Sequence, residues 1–380
     1  MINGLHRVLP ALVGLLMLAG CAHKPALYSE SNQLKIKPLW VKHVGKGNAD
    51  HHLNLQPFAY KKQLYTTSYL GSVSSYLASN GGFLKKVFTK HKMTAPAVVR
   101  GDMMFAVSVD GAVSALNLST NHVQWRHYLS GEVLVAPIIK DDMLLVKTEN
   151  DQLFAFNTET GKSMWHYKTD APSLILRGSG KPVVIGNAVI AGFANGELTK
   201  LDLRTGALLW KSEVSTPKGI TSIERMVDMD ATPVVLNDRI YWANYQGAVG
   251  AYDLESGAGV WQHPASVYSG IATDGEALFL SDAQQHVKAY TLDKGTLLWE
   301  QKGFDKHAVL TEPVVYGKYL MLADQWGYLH WLNKRDGKSV SSIKLVDNSG
   351  FTAPPLLIGD RQIVMLTDSG DMLSLIAKKR

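Results

Sequence analysis

Short apolar runs separated by polar turns fill most of this 380-residue chain, and they recur with a period. One unit reads Ala136-Pro137-Ile138-Ile139, then Met143-Leu144-Leu145-Val146, then Leu153-Phe154-Ala155-Phe156. A polar turn follows, Asn157-Thr158-Glu159-Thr160-Gly161, and Trp165 leads a fourth run. The same turn and Trp return as Asp202 to Gly206 with Trp210, Asp253 to Gly257 with Trp261, and Leu292 to Gly295 with Trp299. In each copy the Trp lies four residues after the Gly. Each run is too short for a helix and carries no 3.6-residue periodicity, so the pattern predicts four short strands per repeat.

Weaker copies extend the series. Asn121 takes the Gly slot before Trp125, and Asn tolerates positive φ better than most residues. Gly337 is followed by Ser341, where the Trp is lost. Trp40 leaves room for one more copy, placed around Gly81, Gly82 and Phe88. A Pro ahead of an apolar run repeats at Pro57, Pro96, Pro137, Pro182, Pro233, Pro313 and Pro354, consistent with the first residue of a strand, where no ladder N–H is needed. Eight units of four strands predict an all-β, eight-bladed β-propeller. The chain opens its repeats on a lone Trp-led strand (Leu39-Trp40-Val41) and ends on a lone strand from Gly370 to Ile376. Together these complete one blade and remove the free edges of the ring.

The first residues break the pattern. Arg7, an apolar run from Val8 to Leu18 and then Leu18-Ala19-Gly20-Cys21 read as a signal peptide, since the run is too short to span a bilayer comfortably. Leu-Ala-Gly-Cys resembles the bacterial lipobox, in which the Cys becomes the lipidated first residue. Cys21 is the only Cys, so no intramolecular disulfide forms. The expected organisation is a signal peptide over 1–20, a lipidated polar tether over 21–37 and the propeller over 38–380. Removing Arg7 takes the formal charge from +6 to +5, which is mild for this size and gives no sign of nucleic-acid binding.

Catalytic motifs are absent or incomplete. Thr160-Gly161-Lys162-Ser163 ends like a phosphate-binding loop, but Phe156 stands where that motif needs Gly. Ser341-Ser342-Ile343-Lys344 has Ser-x-x-Lys spacing without its partner motifs. His51-His52 beside Asp50 reads as an exposed loop more readily than as a metal site. Repeat geometry gives a better lead, because function on a repeat fold gathers where repeats carry insertions. From Trp slot to the next Pro is 12 to 14 residues in three repeats, but 17 from Trp165 to Pro182 and 23 from Trp210 to Pro233. These two long connections leave consecutive blades from equivalent points, so they are expected side by side on one face. The first holds Ser173-Leu174-Ile175-Leu176-Arg177-Gly178, the second Glu224-Arg225-Met226-Val227-Asp228-Met229-Asp230. Apolar residues beside charges describe a protein-binding patch with an Arg suited to a hot spot. The same residues also fit a structural role, in which Leu174 and Leu176 cap the core and Arg177 pairs with Asp228 or Asp230.

The lipobox, the Trp-turn repeats, Pro172 to Gly178, Asp228-Met229-Asp230-Ala231-Thr232-Pro233 and the closing Asp347 to Phe351 segment together resemble the BamB family, the lipoproteins of the outer-membrane β-barrel assembly machinery. The repeats alone match the broader class of pyrroloquinoline-quinone-type propellers. The resemblance implies a non-enzymatic scaffold, with no cofactor and no metal. It would sit in the outer membrane, lipid-anchored through Cys21 at the inner leaflet and facing the periplasm. It implies binding of a periplasmic POTRA domain of BamA through Leu174, Leu176, Arg177, Asp228 and Asp230, contact through BamA with the other subunits, and presentation of unfolded outer-membrane proteins. Two rival classes are a quinoprotein-type dehydrogenase, whose frequent vicinal disulfide a single Cys cannot make, and a carbohydrate-binding propeller, which would want exposed aromatics in the long loops.

Overall fold

In the computed structural model, which describes residues 33–48, 51, 53–170, 180–215, 229, 231–304 and 307–379, the strands form eight separate four-stranded antiparallel sheets, each a blade of one β-propeller. Blade 1 comprises Phe58–Tyr60, Gln63–Ser68, Ser72–Leu77 and Phe83–Phe88. Blades 2 to 7 repeat this meander over 98–128, 138–168, 183–213, 234–265, 271–301 and 314–344. Blade 8 joins Leu356–Ile358, Gln362–Leu366 and Asp371–Lys379 to the first strand of the chain, Leu34–His43. That first strand begins four residues ahead of the boundary expected at 37/38, and it runs antiparallel to the last strand from Leu34↔Lys379 to His43↔Asp371. No helix occurs among the described residues.

The core lies between blades. The Trp at each slot belongs to one blade and packs on the turn of the next. Trp165 Nε1 donates to Leu203 O at 2.9 Å, and a Cβ added at Gly206 would stand 2.6 Å from the Trp165 ring. Trp125 does the same with Thr158 O at 3.0 Å and Gly161, Trp210 with Leu254 O at 3.2 Å and Gly257, and Trp40 with Ala78 O at 3.2 Å and Gly81. Trp261 and Trp299 repeat the pattern on the turns that end in Gly295 and Gly337. Glycine is needed there for two reasons: its φ is near +70°, and the indole lies where a Cβ would be. In the turn itself, Gly206 N donates to Asp202 O at 2.9 Å, and the Asp202 carboxylate accepts from Arg204 N and Thr205 N. The Thr205 hydroxyl adds a third bond to that carboxylate, and these bonds hold its pKa below the usual range.

A bulge marks every Trp slot. Ala155 pairs with Trp165 and Phe156 with Ser163, so Met164 is the extra residue. The same register identifies the two slots that lack Trp. In blade 1, Ser75 pairs with Lys85 and Tyr76 with Phe83, so Lys85 occupies the slot and Phe88, the residue the sequence suggested, is an exposed side chain three positions on. In blade 7, Ser341 faces Trp331 across the ladder, so the indole has moved to the neighbouring strand and is fully buried there. The reason lies in the ring closure. Blade 8 has no turn between its third and fourth strands, because the two chain ends lie there, so a Trp at 341 would have nothing to dock on. Instead Leu34 N donates to Ser341 Oγ at 3.0 Å and Gln33 N to Val340 O at 3.1 Å. The repeated prolines stand just before the first strands of their blades rather than inside them, and Gly270 takes that place in blade 6.

Candidate functional site

Every meander crosses its blade four times, so the connections from one blade to the next share a face of the disc with the turns between second and third strands. Two long connections leave consecutive blades, from Lys168 to Val183 and from Glu213 to Val234; the connection from His43 to Phe58, which leads from blade 8 into blade 1, is as long as the first of them. Leu174, Leu176, Arg177, Asp228 and Asp230 lie in them, outside the described residues, as does Cys21. The residues that carry both connections are described, and they are tied to each other. Gly180 N donates to Met229 O at 3.1 Å, and Lys181 N to Thr232 Oγ1 at 3.2 Å. The stems of the two insertions therefore meet, as the equal departure points required.

Met229 was read from sequence as part of an exposed patch, and the structure corrects this. Met229 is 2% exposed and packs with Val214, Ile190, Ile240 and Trp242 in the seam between blades 4 and 5. Its side chain fills the space over Gly192, where an added Cβ would be 2.7 Å from Met229 Cε. Val214, at the start of the same connection, is also buried, and its amide donates to Gly196 O at 2.9 Å. Both ends of the second connection are thus fixed in a blade seam. The first is held at its start by Thr169 N donating to Asp151 O at 3.2 Å.

Under these stems lies a buried charged group. Lys147, 4% exposed, donates to Gly180 O at 3.4 Å and stands 5.3 Å from the Phe193 ring centroid. Asp151 sits at φ +58° and its two carboxylate oxygens accept from Ala194 N, each at 3.0 Å. Burial raises the Asp151 pKa, against the pull of Lys147 and of the amides. Burial lowers that of Lys181. Lys147 thus ties the first stem to blade 3, and Asp151 ties that blade to Ala194 of blade 4.

Two other constellations test the enzymatic alternatives. Asp324, His330 and Ser342 form a hydrogen-bonded series that the sequence did not suggest, with His330 Nδ1 2.9 Å from Ser342 Oγ and Nε2 3.1 Å from Asp324 Oδ2. All three are buried, His330 and Asp324 completely, so no substrate reaches the hydroxyl. Asp324 Oδ1 also accepts from Trp326 N and Tyr328 N at 2.9 Å, which makes the series a brace for that turn. Asp282, His286 and Glu300 have the donor spacing of a metal site. Lys288 Nζ, however, is 2.8 Å from Asp282 Oδ2 and 3.4 Å from Glu300 Oε1, and Lys302 Nζ is 2.9 Å from Glu300 Oε2. The protein's own ammonium groups already balance these carboxylates, so the residues do not fit a divalent cation.

The family model described as outer membrane protein assembly factor BamB matches residues 70–301. The protein of that name from Yersinia pestis is 30% identical, over 94% of this chain and 95% of its own. The Escherichia coli protein of that name is 31% identical, over 95% and 96%. The crystal structure of BamB from Moraxella catarrhalis superposes with a TM-score of 0.80 at 23% identity, covering 90% of this chain and all of that one. Quinohemoprotein alcohol dehydrogenase from Comamonas testosteroni superposes at 0.71 with 10% identity, over 92% and 78%, a likeness of fold alone. On the extent of the sequence matches, this chain belongs to the BamB family of outer membrane protein assembly factors.

Proposed function

We propose that this protein is a non-enzymatic scaffold of the outer-membrane β-barrel assembly complex and that its two long connections hold a periplasmic POTRA domain of BamA. One observation carries the reading. Two long blade-to-blade connections that leave consecutive repeats are joined stem to stem by the Gly180–Met229 and Lys181–Thr232 bonds. In sequence, Leu174, Leu176 and Arg177 belong to the first of these connections, and Asp228 and Asp230 to the second. An apolar pair with an Arg and carboxylates is the composition of an interface hot spot. Family membership supplies the partner class.

Anchoring belongs to the same proposal. Cys21 would carry the acyl chains that hold the propeller at the inner leaflet of the outer membrane, with residues 22–32 as its tether. Cys21→Ala is expected to move the protein to the soluble periplasmic fraction in cells lacking BamA; continued sedimentation with outer membrane would overturn the lipobox assignment.

The partner assignment is tested with purified POTRA domains of BamA. Arg177→Ala, and Asp228→Ala with Asp230→Ala, should each weaken binding roughly thirtyfold or more, with melting unchanged. Unchanged affinity together with a lowered melting point would make these residues an internal Arg–Asp brace and remove the partner from this surface.

A further inference from the structure

Lys85 leaves a Trp-sized vacancy at a blade seam that has a turn to dock on. Its ammonium donates to Leu118 O, the counterpart of the carbonyl that the indoles of other blades reach. A lysine stem does not replace an indole in volume, and a cleft of about 610 Å³ opens between blade 1 and the turns of blade 2. Tyr60, Tyr65 and Leu84 give it apolar walls, and Lys61, Lys85 and Asp102 line it as well. The turn opposite has adapted to the missing ring. Its left-handed position is Asn121, φ +61°, where the six Trp-bearing seams have Gly, and an Asn Cβ there would collide with an indole.

Charge and edge chemistry converge on the same blade. Residues 51–101 contain seven Lys and Arg and no Asp or Glu, which takes the rest of the chain from +6 to −1. The outer strand of the blade, Phe83–Phe88, pairs on one side only and exposes Phe83, Leu84 and Phe88. Lys86 Nζ stands 5.3 Å from the Phe88 ring centroid and Lys61 Nζ 5.3 Å from that of Tyr60. An unpaired strand edge takes another strand through its free N–H and C=O groups, with pockets reading alternate side chains.

We propose that blade 1 is a second docking site, for an extended acidic segment of a partner polypeptide that adds to the Phe83–Phe88 edge and seats one aromatic side chain in the Lys85 cleft. The cleft is bordered by turns between first and second and between third and fourth strands. It therefore opens on the face of the disc opposite the long connections, and both sites can be filled at once. Basic and aromatic side chains alone would also suit an anionic lipid surface. The strand edge and the single-side-chain cleft favour a polypeptide.

The test uses the full propeller and a fluorescein-labelled peptide of alternating Thr and Asp or Glu with one central Trp, followed by anisotropy. Companion peptides replace the Trp by Ala, or all acids by Lys. The protein variant Lys85→Trp with Asn121→Gly rebuilds the ordinary seam and fills the cleft. The Trp peptide should bind the natural protein, more weakly as salt rises. Binding should fall roughly tenfold or more for the Ala peptide, the Lys peptide and the filled variant. Lys61→Glu with Lys86→Glu, both at the surface, should cost as much and serves if the filled variant does not fold. Equal binding of the Trp and Ala peptides, or of the natural and filled proteins, overturns the proposal. So does capture by phosphatidylglycerol vesicles without any peptide binding. Because this site shares no residue with the long connections, its failure would leave the BamA reading intact, and the reverse.

Discussion

Gly206→Ala tests the packing principle of the whole ring. The substitution does two separable things. It places an L-residue at φ +69°, which costs roughly 1–2 kcal/mol. It also puts a methyl group 2.6 Å from the Trp165 ring, and the overpacking adds roughly 1–3 kcal/mol as the indole backs out and strains its bond to Leu203 O. Gly186→Ala isolates the first effect, because Gly186 has φ +55° and open space where its Cβ would go. Trp165→Ala alone should cost about 3–5 kcal/mol. Combined with it, Gly206→Ala should fall to the cost of Gly186→Ala, leaving a coupling of roughly 1–3 kcal/mol. Urea midpoints of the four variants at fixed protein concentration give the cycle. Equal losses for Gly206→Ala and Gly186→Ala in the natural background would refute the claim that the indole seats on the glycine of the next blade.

Three further outcomes follow from the same contacts. Met229→Ala should destabilise the protein by about 2–5 kcal/mol in urea melts, through the cavity it leaves over Gly192, and should also weaken POTRA binding by loosening the second stem. Gly192→Ala should destabilise by roughly 1–3 kcal/mol in the same assay, since the added methyl meets Met229. Burial raises the Glu312 pKa to about 8, so the folded state holds that proton more tightly than the unfolded chain; the resulting stability is complete below about pH 4 and lost as pH rises through about 8. Glu312→Gln should therefore match the natural protein at pH 4 in thermal melts and exceed it at pH 9, and parallel profiles would contradict the raised pKa of that carboxyl.

Much of the fold was legible because its determinants are local. The Asn or Asp, the Gly and the Trp of each turn lie within nine residues of one another, and each has a conformational reason that sequence displays. What was missed depended on pairing across strands. The sequence places the weakest copy around Gly81, Gly82 and Phe88 without fixing its slot; Lys85 stands four residues after Gly81, and the Ser75↔Lys85 register identifies it. The Trp lost at Ser341 was visible at Trp331, but nothing in sequence says that these two face each other. Met229 looked like its neighbours in a charged loop; its burial follows from Gly192, a residue on another blade whose missing side chain makes room for it. The pairing of the long connections was legible from equal departure points, while the bonds joining their stems were not. The buried Asp324–His330–Ser342 brace had no sequence signal, because its members come from a turn and two strands with no motif spacing.

If the joined long connections hold BamA, co-purification from native outer membranes should depend on their side chains. Tagged natural protein, Arg177→Ala and the Lys61→Glu, Lys86→Glu variant would be captured in parallel from mildly solubilised membranes and their partners quantified by mass spectrometry. BamA is expected with the natural protein and with the blade 1 variant, and to be lost with Arg177→Ala at equal capture of folded protein. BamA retained by Arg177→Ala at the natural level, or absent from the natural protein, would contradict the account.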